Sequence, residues 1–194
     1  MKYVSIDIET TGLNPERDDL IEFGAVVDDL SNPDVPIEDL PTFHCYNILD
    51  FYQGSAYALS MHPIIFRRIA EKDPAYHYCY NGKIAKVFYD FLDKQDLYKD
   101  DQNRLHVNCA GKNFASFDLQ FINNKTDINK GKIKLRHRAI DPSVMFMFVD
   151  DESVPGTEEC LRRAGLPINM THTAVEDARD VIRLIRKAFH RGDI

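Results

Sequence analysis

The chain has 194 residues, of which 44% are hydrophobic and 28% are charged, and its formal net charge is −7. This length predicts a single domain over residues 1–194 with its own core, and the composition excludes a disordered chain. The acidic balance excludes a protein that holds nucleic acid by bulk positive charge, but it is compatible with an enzyme whose acids bind cations.

The apolar runs are too short to span a bilayer, which takes ~20 residues. Met1 leads directly into a charged strand, without the apolar stretch of a signal peptide. We therefore expect a cytoplasmic protein that does not bind membranes. The cysteines lack Cys-x-x-Cys spacing and predict reduced thiols. They are Cys45, Cys79, Cys109 and Cys160.

In the first half of the chain, alternating and apolar runs predict strands at residues 2–8, 20–27 and 42–48. The first two are separated by a turn and should pair as a hairpin. Residues 28–41 carry three prolines and many acids, which predicts an exposed connection. Pro63 is placed to begin a helix, because proline is favoured in the first helical turn. Residues 84–92 carry the strongest amphipathic pattern in the sequence and predict a second helix.

In the second half, residues 105–110 predict a short buried strand that turns into a helix carrying Asp118. Residues 125–138 are basic, with cations at alternate positions from Lys132 to Arg138. This pattern indicates either a solvated edge strand that resists pairing or a surface that holds phosphates. Three further helices are predicted, after Pro142, at Thr157 and after Thr173, and the alternation of strands and helices predicts an α/β fold with a mixed sheet flanked by helices.

Acidic residues at the two ends of the chain indicate a metal site. Asp7 and Glu9 lie on one face of the first strand, because alternate side chains share a face. Two carboxylates placed so close repel each other and predict a divalent cation between them. On the last helix, Asp177 is in register with apolar residues, so its carboxylate emerges on the buried side, whereas Asp180 falls on the solvated face. His172 lies five residues earlier, just before the helix begins.

Three segments of the sequence, residues 5–13, 111–121 and 172–178, resemble in order the three exonuclease motifs of the DnaQ-like superfamily. The spacing of His172 and Asp177 is similar to that of its DEDDh branch. The resemblance implies a ribonuclease H-like fold, a mixed β-sheet flanked by α-helices. It also implies a 3′-5′ exonuclease that releases nucleoside monophosphates from single-stranded nucleic acid.

The resemblance further implies two Mg²⁺ or Mn²⁺ ions, which lie ~3.5–4 Å apart in two-metal sites, held by the carboxylates that such ions prefer. His172 would be the general base, because an imidazole with a pKa of ~6.5 can take a proton from the attacking water near neutral pH. The catalytic residues are then Asp7, Glu9, Asp118, His172 and Asp177, and the four acids are also the metal ligands.

Substrate contacts follow only from the same resemblance. Backbone groups of Thr10, Thr11 and Gly12 would meet the terminal nucleotide, and Leu13 would wedge against its base. For three more side chains, a structural role competes with a substrate contact. Phe114 and Phe117 are either apolar walls of the substrate site or core residues, and His62 either stacks on a base or caps a helix. Asn113 is a further contact, but it lies five residues before Asp118, whereas many relatives have four.

Several alternatives stay open at this point. DNA is favoured over RNA, but an exoribonuclease similar to oligoribonuclease fits the same motifs. A non-catalytic nucleic-acid-binding module could keep the fold and use its metals structurally. A haloacid-dehalogenase-like phosphatase is suggested by the Asp-x-Asp-x-Thr likeness of residues 7–11, although Glu9 stands where an Asp is expected. Whether a replication or repair partner acts with the chain is open.

Overall fold

The fold is built on a five-stranded mixed sheet, in a computed structural model that describes residues 1–168 and 173–189. The strands in this part of the chain are β1 (Lys2–Thr10), β2 (Leu20–Asp29), β3 (Thr42–Ile48), β4 (Tyr78–Tyr80), β5 (Leu105–Val107), β6 (Cys109–Ala110) and β7 (Ile133–Leu135). The sheet order is β4-β3-β2-β1-β6, and β5 and β7 form a separate parallel pair.

Helices cover both faces of this sheet. The α-helices of the described ranges are α1 (Ala56–Met61), α2 (Pro63–Glu71), α3 (Ala85–Leu92), α4 (Asp118–Lys125), α5 (Thr157–Ala164) and α6 (Ala174–Phe189). On one face, Phe88 of α3 and Phe121 of α4 pack with Phe23 of β2 in the main core. On the other face, α6 packs against Tyr3 and Val26.

The strand register places the acids of β1. β1 and β2 are antiparallel, with Asp7 opposite Gly24 and Glu9 opposite Glu22. The register shifts immediately after Glu9, and such irregularities often lie beside active sites because they re-aim side chains. β6 runs parallel to β1 with Ala110 beside Ser5. The turn that follows β6 therefore lies next to the acidic half of β1.

The predicted strands are confirmed, but three local details differ. Helix α1 was not predicted from the sequence. Asp118 begins α4 instead of lying within it, because Asn113 has a left-handed φ of 55° and residues 113–117 form a turn. The strand alternation predicted from Lys132 to Arg138 ends at a bend after β7. His137 is therefore exposed, like the arginines on either side of it.

Two acids that the pattern placed on the surface are buried. Asp180 on α6 is 4% exposed and accepts a hydrogen bond of 2.6 Å from Arg183. Asp28 falls at the end of β2 instead of in an exposed connection, and Arg186 and Tyr3 bind its carboxylate. Both acids are buried with a cationic partner, which periodicity alone does not reveal.

The cysteine prediction is wrong for one pair. Cys45 and Cys79 lie on the neighbouring strands β3 and β4 and are joined in a disulfide, with their Cα atoms 6.3 Å apart. Cys109 and Cys160 are buried free thiols, as expected. The 34 residues that separate Cys45 from Cys79 left no spacing signal for their proximity. Among the described residues, no helix combines the length and apolar character needed to cross a bilayer.

Candidate active site

Three carboxylates from opposite ends of the chain meet at one end of the sheet. Asp7 and Glu9 come from β1 and Asp177 from the first turns of α6, and one oxygen of each lies within 4.8 Å of the others. Gly24 allows this approach, because a Cβ there would lie 2.5 Å from the carbonyl carbon of Ala174, the first residue of α6. Because residue 24 has no side chain, the start of α6 can pack directly on β2, and this packing places Asp177 close to β1.

Asp118 joins this cluster from the turn after β6. It is 4% exposed at the start of α4, and the backbone of Ile8 on β1 lowers the pKa of its carboxyl, against the rise that burial causes. Its negative charge is the strongest of those acting on Asp7. The structure thus brings all four predicted acids into one neighbourhood.

Burial raises the pKa values of Asp7, Glu9 and Asp118, and repulsion by neighbouring carboxylates adds to the rise at Asp7 and Glu9. Loss of hydration is the largest effect on Asp7, and it raises the pKa of that carboxyl well above its usual range. Burial likewise raises the pKa of Glu9 to about 8 and that of Asp118 to about 7. The charges that act on Asp7 are all negative, and they come from Asp118, Asp177, Glu9 and Glu22. A bound cation would offset this repulsion.

The donor set fits a hard divalent metal. Carboxylate oxygens are the ligands that Mg²⁺ and Mn²⁺ prefer. Three of them converge within reach of one ion, and the raised pKa values of Asp7 and Glu9 reflect burial and neighbouring negative charges that a cation would offset.

Glu22 is a buried acid beside this site that was not predicted from the sequence. It is 1% exposed, and its Oε1 lies 2.7 Å from Nε2 of His44. Its Oε2 accepts a hydrogen bond from the backbone N–H of Ala174, at 3.4 Å. Glu22 therefore connects β2 and β3 to the helix that carries Asp177. The signal available in the sequence was an acid in an otherwise apolar strand, directly opposite Glu9.

A cavity of about 530 Å³ opens beside Glu9. Its lining includes five predicted substrate residues, of which four are Thr10, Gly12, Leu13 and Phe117. Leu13 is 84% exposed at the rim, so its side chain is available to a ligand. His62 also lines the cavity, and its Nε2 lies 3.7 Å from Oε2 of Glu9. His62 is also the N-cap residue of α2, as the helix-cap alternative expected: its carbonyl accepts from the Phe66 N–H at 3.2 Å, although its side chain makes no capping hydrogen bond.

The threonines hold the loop that carries Leu13. The Thr10 hydroxyl donates to the Gly12 carbonyl at 2.7 Å. The Thr11 hydroxyl accepts from the Asp19 N–H at 2.7 Å and donates to the Gln53 carbonyl. A Cβ on Gly12 would overlap the carboxylate of Asp18. This loop is therefore held from within, and its side-chain hydroxyls are already engaged.

Other predicted residues lie elsewhere. Phe114 is 1% exposed in the main core, which corrects the prediction of a substrate contact by this side chain. Asn113 is exposed in the turn, where its N–H donates to Asp141 at 3.0 Å, and it is not among the residues that line the cavity beside Glu9. His172 lies outside the described residues.

The chain is similar in sequence to one protein family and in fold to several solved nuclease structures. The sequence matches the family model RNase_T, described as exonuclease, over residues 4–185. Cell-death related nuclease 4 superposes with a TM-score of 0.66 at 14% identity, over 98% of this chain and 64% of that one. A full-length 3′-exonuclease gives 0.64 at 16%, over 98% and 61%. The zinc-bound form of E. coli exonuclease I with single-stranded DNA gives 0.61 at 17%, over 98% and 41%.

These structural likenesses show the fold and confirm the ribonuclease H-like architecture expected from the motifs. The chain spans less than two thirds of the length of each of these proteins. No curated protein matches the sequence.

Proposed function

The chain belongs to the RNase_T family of exonucleases, and from this membership we propose that it is a metal-dependent 3′-5′ exonuclease acting on single-stranded nucleic acid. In the proposed reaction a water attacks the last phosphodiester phosphorus and the bond to the 3′ oxygen breaks. The products are a nucleoside 5′-monophosphate and a strand one nucleotide shorter with a free 3′ hydroxyl.

The observation that carries this proposal is the convergence of Asp7, Glu9 and Asp177 within 4.8 Å, with the negative charge of Asp118 acting on Asp7. A protein has no structural need to bring acids from both ends of its chain into one half-buried cluster. These four carboxylates would hold two divalent ions, Mg²⁺ or Mn²⁺. When bound, such ions neutralise the charge on the attacking and leaving oxygens.

The remaining residues would orient the substrate and move a proton. Leu13 is the proposed wedge against the terminal base, because it is exposed at the rim of the cavity beside the acids. Phe117 is half-buried on the same lining and offers a second apolar contact. His172 is proposed as the base that accepts a proton from the attacking water. Backbone groups of residues 10–12 would meet the terminal sugar and phosphate.

DNA is the proposed substrate class. Support comes from the similar fold of E. coli exonuclease I, whose structure holds single-stranded DNA. Backbone contacts carry no base information, so we propose cleavage without sequence preference. An RNA strand of the same length is the direct competitor in the assay, because discrimination would depend on contacts to the 2′ hydroxyl.

The test is a cleavage assay with a 5′-labelled single strand, as DNA and as RNA, with Mg²⁺ or Mn²⁺ and with or without chelator. We expect a ladder that shortens from the 3′ end and stops when chelator is added. An intact strand that only shifts in mobility would support the binding module. Release of phosphate from small monoesters alone would support the phosphatase.

A matched pair of variants links activity to the acids. Asp7→Asn should abolish cleavage while leaving the fold intact, because the amide keeps the shape but loses the metal ligand. Asp96→Asn makes the same chemical change on a carboxylate that is 97% exposed and should leave cleavage unchanged. Full activity in Asp7→Asn would contradict the proposed site.

A further inference from the structure

The densest run of basic residues lies outside the acidic cluster. Residues 130–138 contain five Lys or Arg residues and no acid, in a chain of net charge −7. We refer to residues 130–138 as the basic segment. Its cationic side chains are all exposed. They are Lys130, Lys132, Lys134, Arg136 and Arg138.

These cations are not neutralised by the protein. Over the described residues 1–168 and 173–189, none of the five forms an ion pair. Nearby acids are engaged elsewhere. Asp127 accepts hydrogen bonds from the backbone N–H groups of Ile84 and Ala85, and Asp100 is bound by Arg104 and His106. The segment is therefore a local positive surface on an acidic protein.

The segment leads towards the proposed active site. Within it, β7 runs parallel to β5, and the chain continues to Ile140, which bridges Ala110 of β6. β6 in turn pairs with β1 at Ser5, two residues before Asp7. Ile140, two residues beyond the end of the segment, thus lies about 10 Å from β1, two strand spacings away. The next hydrogen bonds join residues 140 and 141 to the turn before Asp118.

The spacing of the cations suits an extended polyanion. Lys132, Lys134 and Arg136 occupy alternate positions, with Ile133 buried between them. Alternate residues of a strand lie about 6.6 Å apart, which is comparable to the distance between successive phosphates of an extended single strand. Because the rest of the chain is acidic, a nucleic-acid strand would meet repulsion over much of the surface and attraction here.

We propose that the basic segment binds the phosphates of the substrate strand on the 5′ side of the bond being cut. This inference rests on the proposed exonuclease function and adds to it a second contact region, which acts on long strands only. The other reading of the segment is that charge protects the free edge of β7 from pairing. Charge reversal separates the two readings, because glutamates protect an edge as well as lysines do but repel phosphates.

The experiment compares the wild-type chain with the triple variant Lys132→Glu, Lys134→Glu, Arg136→Glu. Two substrates are used: a 20-nucleotide single strand, and p-nitrophenyl thymidine 5′-phosphate, which has no upstream strand. For the 20-mer we expect KM to rise at least about tenfold near 0.1 M salt. The logarithm of the binding constant for the strand should also depend less steeply on the logarithm of the salt concentration, with a slope smaller by about 2, because three lost phosphate contacts contribute ~0.7 each. For the small ester we expect kcat/KM to stay within about twofold.

The control is Lys94→Glu with Lys187→Glu, two exposed lysines, and it should leave the 20-mer KM within about threefold. The neutral triple Lys132→Gln, Lys134→Gln, Arg136→Gln covers the case in which charge reversal impairs folding, and it should raise KM for the 20-mer in the same direction. An unchanged KM and salt slope would overturn the inference, as would an equal loss in the control or a loss on both substrates. Failure of the wild type on both substrates would instead overturn the proposed function.

Discussion

Adding one methyl group at Gly24 should displace the helix that carries Asp177. A Cβ at this position would lie 2.5 Å from the carbonyl carbon of Ala174 and 2.6 Å from the backbone nitrogen of Val175. Carbon atoms normally meet at ~3.5 Å, so the contact is short by about 1 Å. Both neighbouring atoms belong to the backbone, so no side chain can rotate away and the start of α6 must move.

The size of the effect follows from that distance. A misplacement of about 1 Å can cost ~100-fold in catalytic rate, and we expect a loss in kcat of this order for Gly24→Ala. Overpacking of this kind costs about 1–3 kcal/mol of unfolding free energy. For a chain of this size, the Tm falls about 2–4 °C for each kcal/mol. The affinity for Mn²⁺, measured by titration calorimetry, should fall together with kcat.

Gly131→Ala is the matched control, because it makes the same change where the nearest atoms are 3.4 Å away. It should retain kcat and Mn²⁺ affinity. A Gly24→Ala protein with unchanged kcat and Mn²⁺ affinity would refute the reasoning whatever its Tm. Such a result would mean that Asp177 reaches the cluster without close packing of α6 on β2.

Three other perturbations test the electrostatics of the fold. In the presence of chelator, the Tm should fall as the pH rises from about 5 to about 8. The pKa of Glu9 is raised to about 8, so over this range the folded state keeps a proton that the unfolded chain has lost. Added Mn²⁺ should restore the Tm in calorimetric scans. Glu22→Ala removes the acceptor for the Ala174 N–H and should lower Mn²⁺ affinity about tenfold or more. Arg186→Ala leaves the 1% exposed Asp28 carboxylate without its cation and should cost about 3–5 kcal/mol in denaturant unfolding.

Each of these three has a control or an opposite outcome. A Tm that rises with pH in chelator would contradict the assigned direction of the pKa shifts. Glu22→Gln keeps a carbonyl acceptor for the same N–H, so it should lose less Mn²⁺ affinity than Glu22→Ala. Arg162→Ala removes an exposed ion pair with Glu159 and should cost less than about 1 kcal/mol. Similar costs for Arg162→Ala and Arg186→Ala would refute the argument from burial.

The local elements were predictable because short-range patterns specify them. Strand β3 begins and ends at the predicted residues 42 and 48, and Pro63 begins α2 as expected. Patterns failed where a distant partner decides the environment. Asp28 was assigned to an exposed connection, yet it is buried against Arg186 of the last helix. Cys45 and Cys79 gave no signal of their pairing.

The sequence alone determined the family, through the residue types, order and spacing of its three motifs. It also determined the candidate acids, because a hard cation requires carboxylate ligands. These acids are Asp7, Glu9, Asp118 and Asp177. Only the tertiary structure decided that these acids converge, because convergence depends on the register of β1 with β2 and on the space that Gly24 leaves for α6. It also decided that Phe114 belongs to the core and that Glu22 supports the start of α6. Periodicity reports which side of an element a residue occupies, whereas burial and hydrogen-bond partners depend on elements far away in the chain.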